Sequence, residues 1–154
     1  MPAPFPPYSQ VANINYALTP YSREAGALAI VPGSHRLARQ PTTSELWLDD
    51  ARVNKHAIAI ELEPGDCALW HGNTWHGSFD RKVPGLRMNL AVYMCRQYVK
   101  TQERHEGGHS KDLAARWSDD QRLHILLGGK QPYGWEQEGP DYSLMARNPR
   151  GLFD

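Results

Sequence analysis

Between residues 11 and 18 the chain reads VANINYAL, and its side chains alternate. On an extended strand Val11, Asn13, Asn15 and Ala17 share one face, and Ala12, Ile14, Tyr16 and Leu18 share the other. ALAIV (27–31) predicts a short buried strand, stopped by the Pro32-Gly33 turn. HAIAIEL (56–62) predicts another, closed by the tight turn EPGD (63–66). CALWHG (67–72) and WHGSF (75–79) read as two short strands, and GLRMNLAVYMCRQYV (85–99) as the longest. Within that last run Arg87, Asn89, Ala91 and Tyr93 lie on one side, Met88, Leu90, Val92 and Met94 on the other. The apolar side needs a cover. The polar side faces something that tolerates an arginine, such as a cavity.

After residue 100 the period changes. SKDLAARW (110–117) and SDDQRLHILLG (118–128) predict helices, each opened by a serine able to cap it, Ser110 and Ser118. Gly128-Gly129 ends the second. Residues 36–55 are polar and irregular, with a short helix over TSELWLDD (43–50), and residues 130–154 hold too many prolines and glycines for regular structure. No repeat or linker divides the chain. One domain over 1–154 is expected, with a partial β core over 1–100 and a helical and irregular extension over 101–154. Many short strands separated by turns suggest a sandwich, barrel or jelly roll. A jelly roll with a polar pocket inside and helices outside meets both demands of the long strand. The chain opens on Pro2, Pro4, Pro6 and Pro7 and runs straight into a strand, as if entered partway through a fold.

Composition narrows the classes. A chain of 154 residues suits one real core. Lys plus Arg and Asp plus Glu stand at 17 each, so no basic stripe advertises nucleic acid or a membrane surface. No apolar stretch approaches ~18 residues, the length needed to span a bilayer. MPAPFPPYSQ lacks the basic start and apolar run of a signal peptide, so a cytoplasmic location is expected. Cys67 and Cys95 are too sparse for a disulfide scaffold and are expected as buried free thiols.

The candidate chemistry lies in WHGNTWHGSFDRKVPGLRMNL (70–90). His76 and Ser78 point the same way on an extended chain. A neutral imidazole on a rigid strand is a good ligand for iron or zinc, and equally a core histidine bonded to a carbonyl. Arg87 sits among apolar neighbours, where a guanidinium needs an anion. Its fork matches a carboxylate in two-point contact, supplied by a co-substrate or by an internal ion pair with Asp66 or Asp80. Ser78 could add a hydrogen bond to that carboxylate.

EAGALAIVPGSHRLARQP followed by LEPGDCALWHGNTWHGSFDRKVPGLRMNL resembles the phytanoyl-CoA dioxygenase family of Fe(II)/2-oxoglutarate oxygenases, over roughly residues 11–100. LHILLGGKQPYGW, further on, resembles members of the same family. The resemblance implies a double-stranded β-helix, a cupin-like form of jelly roll, incomplete at the N-terminus. It implies Fe(II) as metal, 2-oxoglutarate as co-substrate and hydroxylation of a small organic substrate. His76 would be the distal histidine of the iron triad. Arg87 would hold the far carboxylate of 2-oxoglutarate with Ser78 beside it, and Asn15 would line the co-substrate pocket. PGSHR would be a structural turn at the mouth of the site, with His35 a loop residue and His71 at most a neighbour of the ligands. His56, His105, His109 and His124 match nothing.

One departure is large. The family's His-x-Asp (or Glu) pair belongs ahead of NINYAL, yet no histidine precedes His35 and no carboxylate precedes Glu24. Two of three ligands would then fall just upstream of Met1, and this chain alone would be inactive. Two other readings stay open. One is a non-catalytic jelly-roll binding protein that has lost the triad. The other is a cupin-like enzyme holding a metal with His71, His76 and a carboxylate such as Asp66.

Overall fold

The structure, a computed structural model, describes residues 3–6, 8–48, 53–96, 98–99 and 108–127. It falls into two compact units, Met1–Lys100 and Thr101–Asp154. The first unit is mainly β. Its strands are β1 (Val11–Ala17), β2 (Leu28–Ile30), β3 (Ile58–Ile60), β4 (Cys67–His71), β5 (His76–Ser78) and β6 (Asn89–Cys95). They form two antiparallel three-stranded sheets, ordered β4-β1-β6 and β3-β2-β5. From β3 onward the chain alternates between the sheets at each strand.

The alternation in VANINYAL sets which side of the first sheet is buried. Asn15 and Ala17 are buried, and Ala17 packs with Tyr21, Ala27 and Leu28. Ala68 and Trp70 of β4 and Ile30 and Ile60 of the second sheet pack against this cluster. The two sheets therefore meet through small, aliphatic and aromatic side chains. The Tyr21–Leu62 bridge closes one side of this core, with N–H to carbonyl bonds of 2.9 and 3.2 Å in the two directions. Gly72 allows β4 to leave the sheet tightly: a Cβ there would come within 2.8 Å of Val11.

Several expected elements are shorter than the apolar runs. The run 85–99 is a strand only over Asn89–Cys95. Upstream, the Met88 N–H bonds to the Thr19 hydroxyl rather than to a ladder carbonyl, so Arg87 lies outside the strand. Downstream, the Val99 N–H turns back to the Arg96 carbonyl. The helix expected over 43–50 is a 3-10 turn, Thr43–Glu45; residues 49 and 50 lie outside the described residues. Asn54 interrupts it, donating through its side chain to the Glu45 carbonyl and through its backbone to the Trp47 carbonyl.

The second unit contains helices α1 (Gly108–Arg116) and α2 (Gln121–Leu126). Neither expected serine caps them. Ser110 lies inside α1, and α2 is capped by Asp120, whose carboxylate accepts the Leu123 N–H at 3.0 Å. The Gly128-Gly129 stop, His105 and the tail from residue 130 lie outside the described residues. Among the described residues no helix is long and apolar enough to cross a membrane.

The cysteines are free, but Cys67 is exposed rather than buried and Cys95 is partly so. They flank opposite ends of β1, opposite Tyr16 and Val11, too far apart along the strand to bridge.

Candidate functional site

His76 opens β5 opposite Ile30, and Ser78 ends it opposite Leu28. Both occupy the same side of the strand, with Gly77 on the other. His76 borders a cleft of about 570 Å3, with Asn13 and Tyr93 from the first sheet, Thr74 and Trp75 before it, and Leu48 from the irregular loop. The His76 ring meets the edge of Trp70, with centroids 5.4 Å apart. Its Nδ1 lies 2.8 Å from the Thr74 carbonyl. A carbonyl can only accept, so Nδ1 carries the proton and the Nε2 lone pair is left for a ligand.

The segment before β5 is braced by the PGSHR turn. Ser34, only 3% exposed, donates through Oγ to the Val31 carbonyl at 2.7 Å and accepts the Trp75 N–H at 2.8 Å. The Val31 N–H returns to the Trp75 carbonyl at 3.0 Å. The Trp75 indole donates to the Arg39 carbonyl at 3.1 Å, and the Arg39 guanidinium lies 4.9 Å from its ring centroid. Arg39 in turn grips both Glu45 carboxylate oxygens, at 2.8 and 3.0 Å. Arg39, with the Thr42 backbone and hydroxyl behind it, pulls the Glu45 carboxyl down to about 2. The sequence reading took PGSHR as a turn but did not single out Ser34, Trp75 or Arg39. A small hydroxyl residue between a Pro-Gly turn and a histidine was the available signal.

The other named residues gather elsewhere. Asn15 is buried, and its Oδ1 accepts the Asn89 side-chain N–H at 2.5 Å. Arg87 is half-buried; it donates to the Gly26 carbonyl and lies 5.1 Å from the Tyr21 ring centroid. Gly26, at φ +81°, permits this approach: a Cβ there would meet the Arg87 guanidinium at 3.2 Å. The alternative internal ion pair with Asp66 or Asp80 is not formed among the described residues; Arg87 makes this carbonyl contact, and Asp66 closes its own turn by accepting the Glu63 N–H. Arg87 and Ser78 thus sit at one end of the second sheet, through Gly26 and Leu28. The cleft beside His76 is lined by Asn13 and not by Asn15, Ser78 or Arg87.

His71 and His35 form a separate pair. Their rings stack with centroids 5.0 Å apart. His35, expected as a plain loop residue, belongs to the 3-10 turn Ser34–Leu37 and reaches β4 through this stack. Burial first, and the charge of His35 second, hold His71 below the usual imidazole range. Its Nδ1 accepts the Asn73 N–H at 3.1 Å, the opposite tautomer to His76. Asp66 precedes β4 and His71 ends it, about 17 Å apart at strand rise, so a site built from His71, His76 and Asp66 is excluded. Among the described residues no group of three or more histidine, cysteine or carboxylate side chains is placed to hold a metal. His76 leaves its Nε2 open, and the described residues do not complete a three-ligand iron site around it.

Comparison with known proteins places these features in context. The family model for phytanoyl-CoA dioxygenase (PhyH) matches residues 2–89. Dioxygenase FUM3 of Gibberella moniliformis is 32% identical over 160 residues, covering 95% of this chain and 46% of that protein. The human peroxisomal phytanoyl-CoA dioxygenase is 26% identical over 100 residues, covering 58% of this chain and 30% of its own length. EctD from S. alaskensis, solved with 2-oxoglutarate and 5-hydroxyectoine, is 24% identical at a TM-score of 0.43, covering 54% of this chain and 30% of that one. The chain spans less than half the length of the curated relatives it matches.

Proposed function

The chain belongs to the phytanoyl-CoA dioxygenase family, and on that premise we propose that it is the C-terminal part of an Fe(II)/2-oxoglutarate-dependent oxygenase that hydroxylates a small organic substrate. In this reading the chain is one domain. Its two sheets are part of a double-stranded β-helix, and residues 101–154 extend it. His76 is the distal iron ligand. Arg87 binds the far carboxylate of 2-oxoglutarate, with Ser78 and Asn15 beside it. The two other ligands, a His-x-Asp or His-x-Glu pair, come from residues preceding this chain in the complete protein. His and a carboxylate two apart on a strand face the same way, which places both on one metal. When bound, iron supplies the oxidation of a C–H bond at the expense of 2-oxoglutarate and oxygen.

The observation that carries this reading is the state of His76. Its Nδ1 is occupied by a backbone carbonyl and its Nε2 is left for a metal, at the edge of a cleft large enough for a drug-sized molecule. The experiment is metal titration of the protein extended through its native upstream residues. Fe(II) affinity should fall at least tenfold in His76→Ala, the lower bound for losing a ligand or its support. Arg87→Ala should weaken 2-oxoglutarate binding, and Arg87→Lys should retain part of it, because Lys keeps charge but not the two-point fork. Unchanged Fe(II) affinity in His76→Ala, with an upstream frame that lacks His-x-Asp/Glu, would favour a non-catalytic jelly-roll protein.

A further inference from the structure

We infer that Ser34 sets the tautomer and orientation of His76 through a single peptide group. The Thr74 carbonyl and the Trp75 N–H are the two ends of one planar unit. The N–H end donates to Ser34 Oγ at 2.8 Å, and the carbonyl end accepts from His76 Nδ1 at 2.8 Å. Because the unit is rigid, fixing the direction of its N–H fixes the direction of its carbonyl. Ser34 is itself immobilised: it is buried, and its hydroxyl proton is committed to the Val31 carbonyl at 2.7 Å. The Oγ lone pair therefore points at Trp75 without a competing rotamer. The Val31–Trp75 bond at 3.0 Å holds the next peptide in place. The oriented carbonyl demands a donor, so it selects the Nδ1–H form, whereas a free neutral imidazole in water favours Nε2–H. Ser34 is thus a positioning residue for His76. That this exposes Nε2 to a metal rests on the reading of His76 given above; the tautomer itself does not.

The test is the imidazole region of a long-range proton–nitrogen NMR spectrum of the 15N-labelled 154-residue chain, taken above the imidazole titration range. His76→Gln identifies the signal. In the wild-type chain His76 should be predominantly Nδ1–H. In Ser34→Ala the Nδ1–H to Nε2–H ratio should fall about tenfold, the size of one neutral hydrogen bond. Ser34→Thr, which keeps the oxygen, should preserve it. Ser22→Ala is the control: Ser22 Oγ accepts the Ala25 N–H in a turn that touches neither His76 nor Thr74, and the ratio should not change. A wild-type His76 that is mainly Nε2–H overturns the inference without any variant. So does a folded Ser34→Ala with an unchanged ratio. Should Ser34→Ala fail to fold, the wild-type tautomer and slow exchange of the Trp75 amide, retained in Ser34→Thr, decide it. An unchanged tautomer ratio in Ser34→Ala overturns only the positioning role, whereas undiminished Fe(II) affinity in His76→Ala overturns only the metal role.

Discussion

The two faces of the first sheet are built from the same strands with the same period, yet they end in different environments. On the inner face Asn15 is 4% and Ala17 1% exposed, facing the second sheet. On the outer face Tyr16 is 39%, Leu90 53% and Leu69 67% exposed, and no other described element of this unit covers them. Met88 and Met94 continue that uncovered apolar surface. Alternation along a strand states which side chains share a face; what lies opposite decides whether the face is buried. An apolar face of this extent is the mark of a contact surface. Under the proposed function, the same preceding residues that bring the missing ligands would also bring the layer that covers it.

The largest expected contrast is between an inner and an outer leucine. Leu28→Ala, at 6% exposure in the core, should cost about 2–5 kcal/mol in denaturant unfolding, whereas Leu69→Ala should stay within about 0.5 kcal/mol. Equal costs would mean that something covers the outer face in solution. A smaller effect belongs to the polar part of the inner face. Asn15→Ala leaves the part-buried Asn89 amide without its acceptor and should cost about 1 kcal/mol by the same measurement.

These contrasts also mark where the sequence was legible. All six strands fall inside predicted runs, β1 and β6 by their alternation and the others as short runs between turns, because both signals are local. Their ends did not follow from the runs. Arg87 lies outside its strand because Thr19, distant in sequence, captures the next N–H. The helix expected at 43–50 is a single turn because Asn54 takes the Glu45 carbonyl. The cap of α2 went to Asp120 rather than Ser118, since both lie near the helix start and only geometry chooses. At the site, the residue types at 76, 78 and 87 pointed to a metal beside a carboxylate. The sequence could not reveal that a buried serine more than 40 positions away holds the approach to His76.

The smallest expected effect lies in the loop that borders the covered side. The Glu45 carboxyl is lowered from 4.5 to about 2, chiefly by its bond from Arg39. A depressed carboxyl contributes stability that is fully present above the ordinary value and is lost as pH falls through the folded one. The advantage of wild type over Glu45→Gln in melting temperature should therefore be constant above about pH 4.5 and shrink toward pH 2. It should be modest, because both side chains are partly exposed and the pair is solvent-screened. A gap that widens on acidification would contradict this assignment.

The central claim is tested most directly by succinate release from 2-oxoglutarate with Fe(II) and oxygen. The 154-residue chain alone should give none above a no-protein control, since one histidine leaves most of the coordination sphere to water. The same chain preceded by its native upstream residues, carrying His-x-Asp or His-x-Glu, should release succinate, and His76→Ala in that protein should abolish it. Succinate release by the 154-residue chain alone, or none from the extended protein, would contradict the account.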